Sequence, residues 1–219
     1  MATPYFQLAL DIVGSTQDVA RENLGDLPVL VMATGQTEGR GRSGSVWFTA
    51  DRALAASFAV DVEAFDERPF SLIAGIAAGR VIEAATLKWP NDLLIDDKKV
   101  GGILVERTGR TVVVGFGLNL FWSDPTEGAA GVFAQDPGDE AYKEIGSLWG
   151  AELNSILGEG SWPVDEYRTM CATIGKAITW EPDGRGFAVD VREDGGLVVS
   201  SGEEVEVIFS GAVHHIRAQ

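Results

Sequence analysis

The chain has 219 residues, of which 45% are hydrophobic and 23% charged. This composition is typical of a globular protein whose core needs no disulfide. A formal net charge of −16 disfavours general binding to nucleic acid. No apolar run approaches the roughly 18 residues of a membrane span, and the N-terminus lacks a signal-peptide pattern. We therefore expect a cytoplasmic protein that binds neither nucleic acid nor membrane.

The first elements are predicted from short-range patterns. Residues 5–13 are predicted to be extended, and a helix is predicted from Ser15 to about Leu24. Ser15 and Asp18 have the spacing of a capping box, with Asp in place of the usual Glu or Gln. The apolar run 29–33 predicts a buried strand.

The middle of the chain predicts an antiparallel sheet covered by a helix. Residues 52–60 suit a strand, and 70–84 have the apolar spacing of a helix that packs on a sheet. Three apolar runs then follow, separated by turn-like breaks, and they predict a meander; the runs are 92–95, 100–105 and 111–120. In such a hairpin Lys99 lies near Asp92.

The last third changes from helices to strands. Helices are predicted over 139–157 and about 163–173, and Cys171 is expected to be a buried structural residue. From Gly175 onward, short strands separated by turn residues predict a small all-β barrel. His214 and His215 are adjacent, so on a strand they point to opposite faces and would not easily share a metal.

Residues 34–46 form a glycine-rich segment with four glycines in 13 positions. Arg40 and Arg42 lie between glycines, and arginine suits carboxylate and phosphate oxygens. A loop of this kind could wrap an anionic ligand, although a solvated turn with incidental arginines fits the composition equally well. The G-x-G-x-x-G spacing from Gly39 is weak evidence for a dinucleotide fold, because no helix pattern follows it.

A second polar cluster runs from Lys88 to Asp92. Pro90 fixes a turn, and the side chains of Asn91 and Asp92 can bind a metal or hold a lysine. Glycines at 101 and 102 indicate close approach of a ligand or of another backbone. Taken singly, each piece is more often a turn with a satisfied side chain.

Together these segments resemble the biotin protein ligase family. Four motifs occur in family order: Gly14-Ser15-Thr16-Gln17 at the first helix, Gln36 to Trp47 in the glycine-rich segment, Lys88 to Asp92 with Lys99 to Glu106, and the G-x-G-x-N that ends at Asn119. The resemblance covers nearly the whole chain. It implies an α+β fold with a mixed, mainly antiparallel sheet flanked by helices, and a small C-terminal SH3-like β-barrel. The implied domains are 1–173 and 174–219.

The resemblance also implies roles for the motif residues. The residues implied to bind biotin are Ser15, Thr16, Gln36, Gly39, Arg40, Lys99 and Gly102. The residues implied to bind the nucleotide are Arg42, Trp47, Asn91, Asp92 and Asn119, with Asp92 as a candidate Mg²⁺ ligand. The residues implied to be catalytic are Arg40, Arg42, Lys88, Asp92 and Lys99.

The implied activity is ATP-dependent formation of biotinyl-5′-AMP, followed by transfer of biotin to a lysine of biotin carboxyl carrier protein. The chain departs from the family pattern at Ser43 and Ser45, where many bacterial members carry basic residues, and at Thr49-Ala50. Only about 13 residues precede the first motif, so no N-terminal DNA-binding domain is expected. A lipoate or octanoate transferase, or a non-catalytic biotin-binding homologue, is the alternative. Apolar strand edges leave a homodimer open.

Overall fold

A computed structural model describes residues 3–42, 50–63, 66–209, 211 and 213–216. The predictions for Ser43, Ser45, Trp47 and Thr49 lie outside these residues. The elements in chain order are β1 (Phe6–Val13), α1 (Thr16–Asn23), β2 (Val29–Gln36), β3 (Arg52–Asp61), α2 (Phe70–Val81), β4 (Thr86–Lys88), β5 (Asp92–Ile95), β6 (Lys98–Thr108), β7 (Thr111–Phe121), α3 (Ala141–Leu157), α4 (Val164–Met170), β8 (Ala177–Trp180), β9 (Gly184–Val191), β10 (Leu197–Ser201), β11 (Glu204–Ile208) and β12 (Val213–His215).

The first seven strands form one sheet in the order β1-β2-β3-β7-β6-β5-β4. Only β1 and β2 pair in parallel; every other neighbouring pair is antiparallel. The predicted meander is confirmed as β5-β6-β7. Its turns suit the residues present, since Asp96, Asp97 and Gly109 all have positive φ.

Helices cover both faces of this sheet. α1 packs on β2, β3 and β7, over a small apolar cluster that includes Ala20, Val31 and Val113. α2 and α3 lie over the main core, where Phe116 and Trp149 stack with their ring centroids 5.1 Å apart. The α+β class predicted from the sequence is confirmed.

The remaining strands form a second antiparallel sheet in the order β11-β10-β9-β8-β12, in agreement with the small β unit predicted after residue 174. It shares the main core, because Val191, Leu197 and Val199 belong to the same apolar cluster as the first sheet. The division at residue 173 stays a prediction. Among the described residues, no helix has the length and apolar character needed to cross a membrane.

Three local predictions need correction. The Ser15 side chain makes no capping bond to α1, and the Asp18 carboxylate instead binds the side chains of Arg21 and Arg40, because these charge-assisted hydrogen bonds occupy both of its oxygens. The glycine-rich segment begins later than predicted, because β2 continues to Gln36. The second helix ends at Val81 and the fourth at Met170, short of the predicted residues 84 and 173.

Candidate active site

A cavity of about 290 Å³ lies where α1, the glycine-rich segment and the Lys88–Asp92 turn meet over the first sheet. This volume is at the lower end of the range of roughly 300–1,000 Å³ for small-molecule sites. The sheet beneath it carries two rows of residues across neighbouring strands, Ser57-Gly115-Leu104 and Ala55-Gly117-Gly102, and all of them except Leu104 are small. Because alternate residues share a face of a strand, the two rows form one shallow floor.

Glycines in β6 and β7 allow neighbouring groups to lie close to the backbone of these strands. A Cβ on Gly101 would lie 2.8 Å from the carbonyl oxygen of Gly117, so the predicted close contact with another backbone is confirmed there. A Cβ on Gly115 would lie 3.0 Å from Nε2 of Gln17. The Gln17 side chain therefore lies flat over the floor.

One end of the cavity is a hydrogen-bonding wall. Oε1 of Gln36 accepts hydrogen bonds from the backbone N–H of Thr16 at 2.7 Å and from its hydroxyl at 3.0 Å. The Thr16 hydroxyl also lies 2.8 Å from that of Ser57. This arrangement leaves the amide nitrogen of Gln36 available as a donor toward a ligand.

Gln17 extends the same wall. Its Nε2 donates to the carbonyl oxygen of Leu104 at 3.2 Å, while its buried Oε1 has no partner among the described residues. The bond to Leu104 ties α1 to β6 and fixes the amide orientation, since a carbonyl oxygen can only accept. Hydrogen bonds from α1 to β2 and from α1 to β6 therefore hold this wall in place.

The other end of the cavity is cationic. Nζ of Lys99 lies 2.5 Å from Oδ1 of Asp92, and Nζ of Lys88 lies 3.8 Å from Oδ2 of the same carboxylate. The predicted neighbourhood of Lys99 and Asp92 is therefore confirmed. The hairpin explains it, because Asp92 begins β5 opposite Lys88 on β4, and Lys99 on β6 pairs with Leu94, two residues after Asp92. Two lysines against one carboxylate leave a net positive charge there.

Arg42 joins the cationic end to the glycine-rich segment. Its Nη1 donates to Oδ1 of Asn91 at 3.0 Å. Asn91 is itself fixed by two hydrogen bonds to the backbone of Ile103. Its Nδ2 donates to the Ile103 carbonyl oxygen at 3.0 Å, and its backbone carbonyl oxygen accepts from the Ile103 N–H at 2.9 Å. The Arg42 guanidinium therefore lies at the cavity, hydrogen-bonded to a side chain that is itself fixed.

Arg40 lines the cavity, but its guanidinium faces acidic groups of the protein. Nη1 and Nη2 donate to the two oxygens of Asp18 at 2.9 and 2.8 Å, and Nε lies 3.5 Å from Glu106. Arg21 bridges the same two carboxylates. The hydrogen bond from Arg40 lowers the pKa of Asp18. In this state the four residues form a closed ring of alternating charge.

The structure brings most of the sequence-predicted residues to this cavity. Those that line it are Ser15, Thr16, Gln36, Arg40, Arg42, Lys88, Asn91, Asp92, Lys99 and Gly102. Gly39 and Asn119 are not among its described lining residues, and Trp47 lies outside the description. Asn119 is buried in β7, where Nδ2 donates to the carbonyl oxygen of Ala130 at 3.2 Å.

Sequence reasoning missed several residues of the site. Ser57, Gly115 and Gly117 belong to the floor, and two glycines within an apolar strand were a usable signal of close approach. His214 lines the cavity from β12, although the sequence analysis placed it on a strand and gave it no role in a site. Its contribution depends on a contact between distant parts of the chain, which no local pattern reveals.

A second cavity of about 600 Å³ shares part of the cationic end. Its lining residues with ionisable side chains are Lys88, Asp92, Asp97, Lys99, Lys176, His214 and His215. Burial lowers the pKa of His215, and the positive charges of Lys88 and Lys176 lower it further. Three lysines surround this space, so it favours an anion.

The described residues contain no group of three His, Cys, Asp or Glu side chains that could hold a metal ion by itself. Asp92 is the one carboxylate among the described lining residues of the main cavity. A protein commonly holds Mg²⁺ through one or two carboxylates together with substrate phosphates. Asp92 therefore fits a single contact to a nucleotide-bound Mg²⁺, and its two lysine neighbours compensate its charge.

The sequence that forms this fold and cavity matches a known class of ligases. The model of the Biotin/lipoate A/B protein ligase family matches residues 12–119. The biotin–[acetyl-CoA-carboxylase] ligase of Mycobacterium tuberculosis is 34% identical over 214 residues, which cover 86% of this chain and 79% of that protein. The chain belongs to the biotin protein ligase family.

Other relatives agree in sequence and in fold. The bifunctional ligase/repressor BirA of Bacillus spizizenii is 27% identical over 93% of this chain and 72% of its own length. The biotin protein ligase of Aquifex aeolicus, solved in complex with biotin and ATP, superposes with a TM-score of 0.83 at 25% identity, over 97% of this chain and 99% of that one. The likeness extends through the C-terminal sheet.

Proposed function

We propose that this protein is an ATP-dependent biotin protein ligase. It forms biotinyl-5′-AMP and then transfers biotin to a specific lysine of biotin carboxyl carrier protein. One observation carries the proposal: a single cavity joins the hydrogen-bonding wall of Thr16 and Gln36 to the cationic end at Lys99. A ligand with a polar head and a carboxylate tail spans these two ends.

The wall receives the ureido head of biotin. Thr16 and Gln36 offer hydrogen-bond donors and acceptors over a floor of mostly small residues, and Ser15 lies beside them. Gly102 contributes its backbone to the binding surface, and Gly39 is proposed to join it when the glycine-rich segment covers the ligand. This assignment places the aliphatic chain of biotin along the floor, with its carboxylate toward Lys99.

Adenylation takes place at the cationic end. A biotin carboxylate oxygen attacks the α-phosphorus of ATP. The bond from that phosphorus to the oxygen that bridges to the β-phosphate breaks, and pyrophosphate leaves. Two anions must approach each other, so Lys99, Arg42 and Lys88 stabilise the charge that develops. Arg40 contributes from the glycine-rich segment, where its ion pairs with Asp18 and Glu106 hold it.

The nucleotide lies between the Lys88–Asp92 turn and the glycine-rich segment. Asn91 and Asp92 hold it from below, and Trp47 and Asn119 are proposed on its adenine side. Mg²⁺ at Asp92 neutralises phosphate charge when bound. The adenylate is a mixed anhydride that water hydrolyses, and a covering segment protects it.

The transfer step needs a neutral amine. The carrier lysine nitrogen attacks the acyl carbon of the adenylate, the bond from that carbon to the phosphate oxygen breaks, AMP leaves, and the attacking nitrogen loses a proton. Asp92 is proposed to orient this lysine. We place the reaction in the cytoplasm, where a carboxylase carrier is made. A lipoate or octanoate transferase is not favoured by the relatives, which are named as biotin ligases.

A streptavidin gel shift of carrier protein after incubation with ligase, ATP and biotin tests the proposal. We expect a shift that requires all components and disappears when the carrier lysine is changed to arginine. Lys99→Met should abolish the shift, whereas Lys98→Met, an exposed neighbour outside the cavity, should not. Acylation by octanoate but not by biotin would overturn the proposal.

A further inference from the structure

Thr173 is a buried residue that the proposed reaction does not use. Its side chain is fully buried, and it follows α4 at the point where the chain passes to the second sheet. The segment runs beside β4, because Cys171 and Leu87 form a parallel β-bridge and the N–H of Ala172 donates to the Leu87 carbonyl oxygen at 2.8 Å. Thr173 thus lies next to the start of the Lys88–Asp92 turn.

The Thr173 hydroxyl connects this turn to the C-terminal sheet. It accepts a hydrogen bond from the backbone N–H of Trp89 at 3.0 Å and lies 3.0 Å from Nε2 of His215. The Trp89 N–H can only donate, so the hydroxyl must accept from it and remains able to donate its own proton to a neutral histidine. One small side chain therefore links β12 to the backbone of the turn.

The same turn has further supports, and all of them restrict where its side chains lie. Nε1 of Trp89 donates to the Gly195 carbonyl oxygen at 3.0 Å, and the Ser71 hydroxyl donates to the Pro90 carbonyl oxygen at 2.8 Å. Asn91 and Asp92 follow directly, and they hold Arg42 and Lys99. A shift of the Trp89 backbone would move the whole cationic end.

We propose that Thr173, supported by His215, is a positioning residue for adenylation, through which the C-terminal sheet sets the geometry of the Lys88–Asp92 turn. This inference rests on the proposed function. The ureido head of biotin is assigned to the wall on α1, β2 and β3, and only its carboxylate is assigned to Lys99 at the cationic end. The expected signature is therefore a loss of turnover much larger than any loss of biotin affinity.

Thr173→Val tests this inference, because it keeps the shape and removes the hydroxyl. We expect kcat of biotin-dependent ATP–pyrophosphate exchange to fall roughly tenfold, since one backbone N–H and one imidazole lose their partner. The biotin Kd from calorimetry should stay within about twofold, and Thr173→Ser should restore kcat. Ile156→Val, at a fully buried residue of α3 outside the described lining of both cavities, serves as the control for stability alone.

Each outcome decides the inference. If Thr173→Val folds and keeps wild-type kcat, or if Ile156→Val loses kcat to the same extent, the inference is overturned. If Thr173→Val fails to fold, His215→Ala decides, because that residue is only partly buried; it should lower kcat in the same direction with biotin affinity kept. Wild-type protein without any exchange activity would instead overturn the proposed function.

Discussion

Nζ of Lys99 lies 2.5 Å from Oδ1 of Asp92, at the end of the cavity opposite to Thr16 and Gln36. In the proposed reaction the two groups have separate roles: Lys99 stabilises developing negative charge, and Asp92 helps to hold the nucleotide. In the free protein each compensates the charge of the other. With substrates bound, the lysine can turn toward the carboxylate and phosphate that are being joined.

Removing the Lys99 charge should affect the chemical step most. Lys99→Met is expected to lower the rate of biotinyl-AMP formation by about 10²-fold or more, the usual effect of losing a charge that stabilises a transition state. Single-turnover measurement with labelled ATP checks this. Lys98→Met should leave the rate within about twofold of wild type, because surface changes remote from a site have small effects; an equal loss would contradict the assignment.

The ring of Asp18, Arg21, Arg40 and Glu106 should act as a unit. Arg40→Ala and Asp18→Ala are each expected to speed adenylate release, and the double variant should be no faster than the more affected single variant. The reason is that both changes break the same contact. Stopped-flow dissociation of biotinyl-AMP measures it.

Arg52→Ala provides the control for this cycle. It removes a comparably exposed ion pair with Asp136, far from the cavity, and should leave release unchanged. Stability should change little in all these variants, since exposed pairs contribute only about 0.2–1 kcal/mol. Additive effects of Arg40→Ala and Asp18→Ala would show that the two residues act separately.

Gly115 should be intolerant of a side chain. In Gly115→Ala the new methyl group meets Nε2 of Gln17 at 3.0 Å, so the amide must move from Leu104. We expect a loss of about 1–3 kcal/mol in the free energy of unfolding, the usual cost of overpacking, together with weaker biotin binding. Gly25→Ala, with no atom within 4 Å of the added carbon, should change neither by a measurable amount.

Stability should depend on pH through His215. Burial lowers the pKa of His215 below its ordinary value of 6.5. In the window just below 6.5 the unfolded chain therefore binds more protons than the folded chain, and the free energy of unfolding should fall as pH falls through that window. His215→Gln should flatten this dependence in urea titrations at several pH values. An unchanged slope in His215→Gln would contradict the prediction.

The parts of the fold that the sequence predicted are those fixed locally. The β5-β6-β7 meander follows from apolar runs and from turn residues such as Asp96, Asp97 and Gly109, whose backbone conformation few other residues adopt. The contact between Lys99 and Asp92 follows from that hairpin. The turns and the Lys99–Asp92 contact each involve residues fewer than ten positions apart.

Contacts between distant segments were not predictable in the same way. Arg40 was expected at a ligand, but in the free protein it binds Asp18 and Glu106, on α1 and β6. The bond of Thr173 to Trp89 spans 84 positions. No periodicity or spacing encodes such pairs, because they arise only when the two sheets and α1 are packed together.

The central claim is that one cavity joins biotin to AMP beside Lys99. A crystal structure of the protein soaked with biotin and ATP tests it most directly. We expect biotinyl-AMP in the cavity, with its ureido head at Thr16 and Gln36, its phosphate within hydrogen-bond distance of Lys99, and the glycine-rich segment covering it. Biotin and nucleotide bound in separate places, or adenylate bound away from Lys99, would contradict the claim.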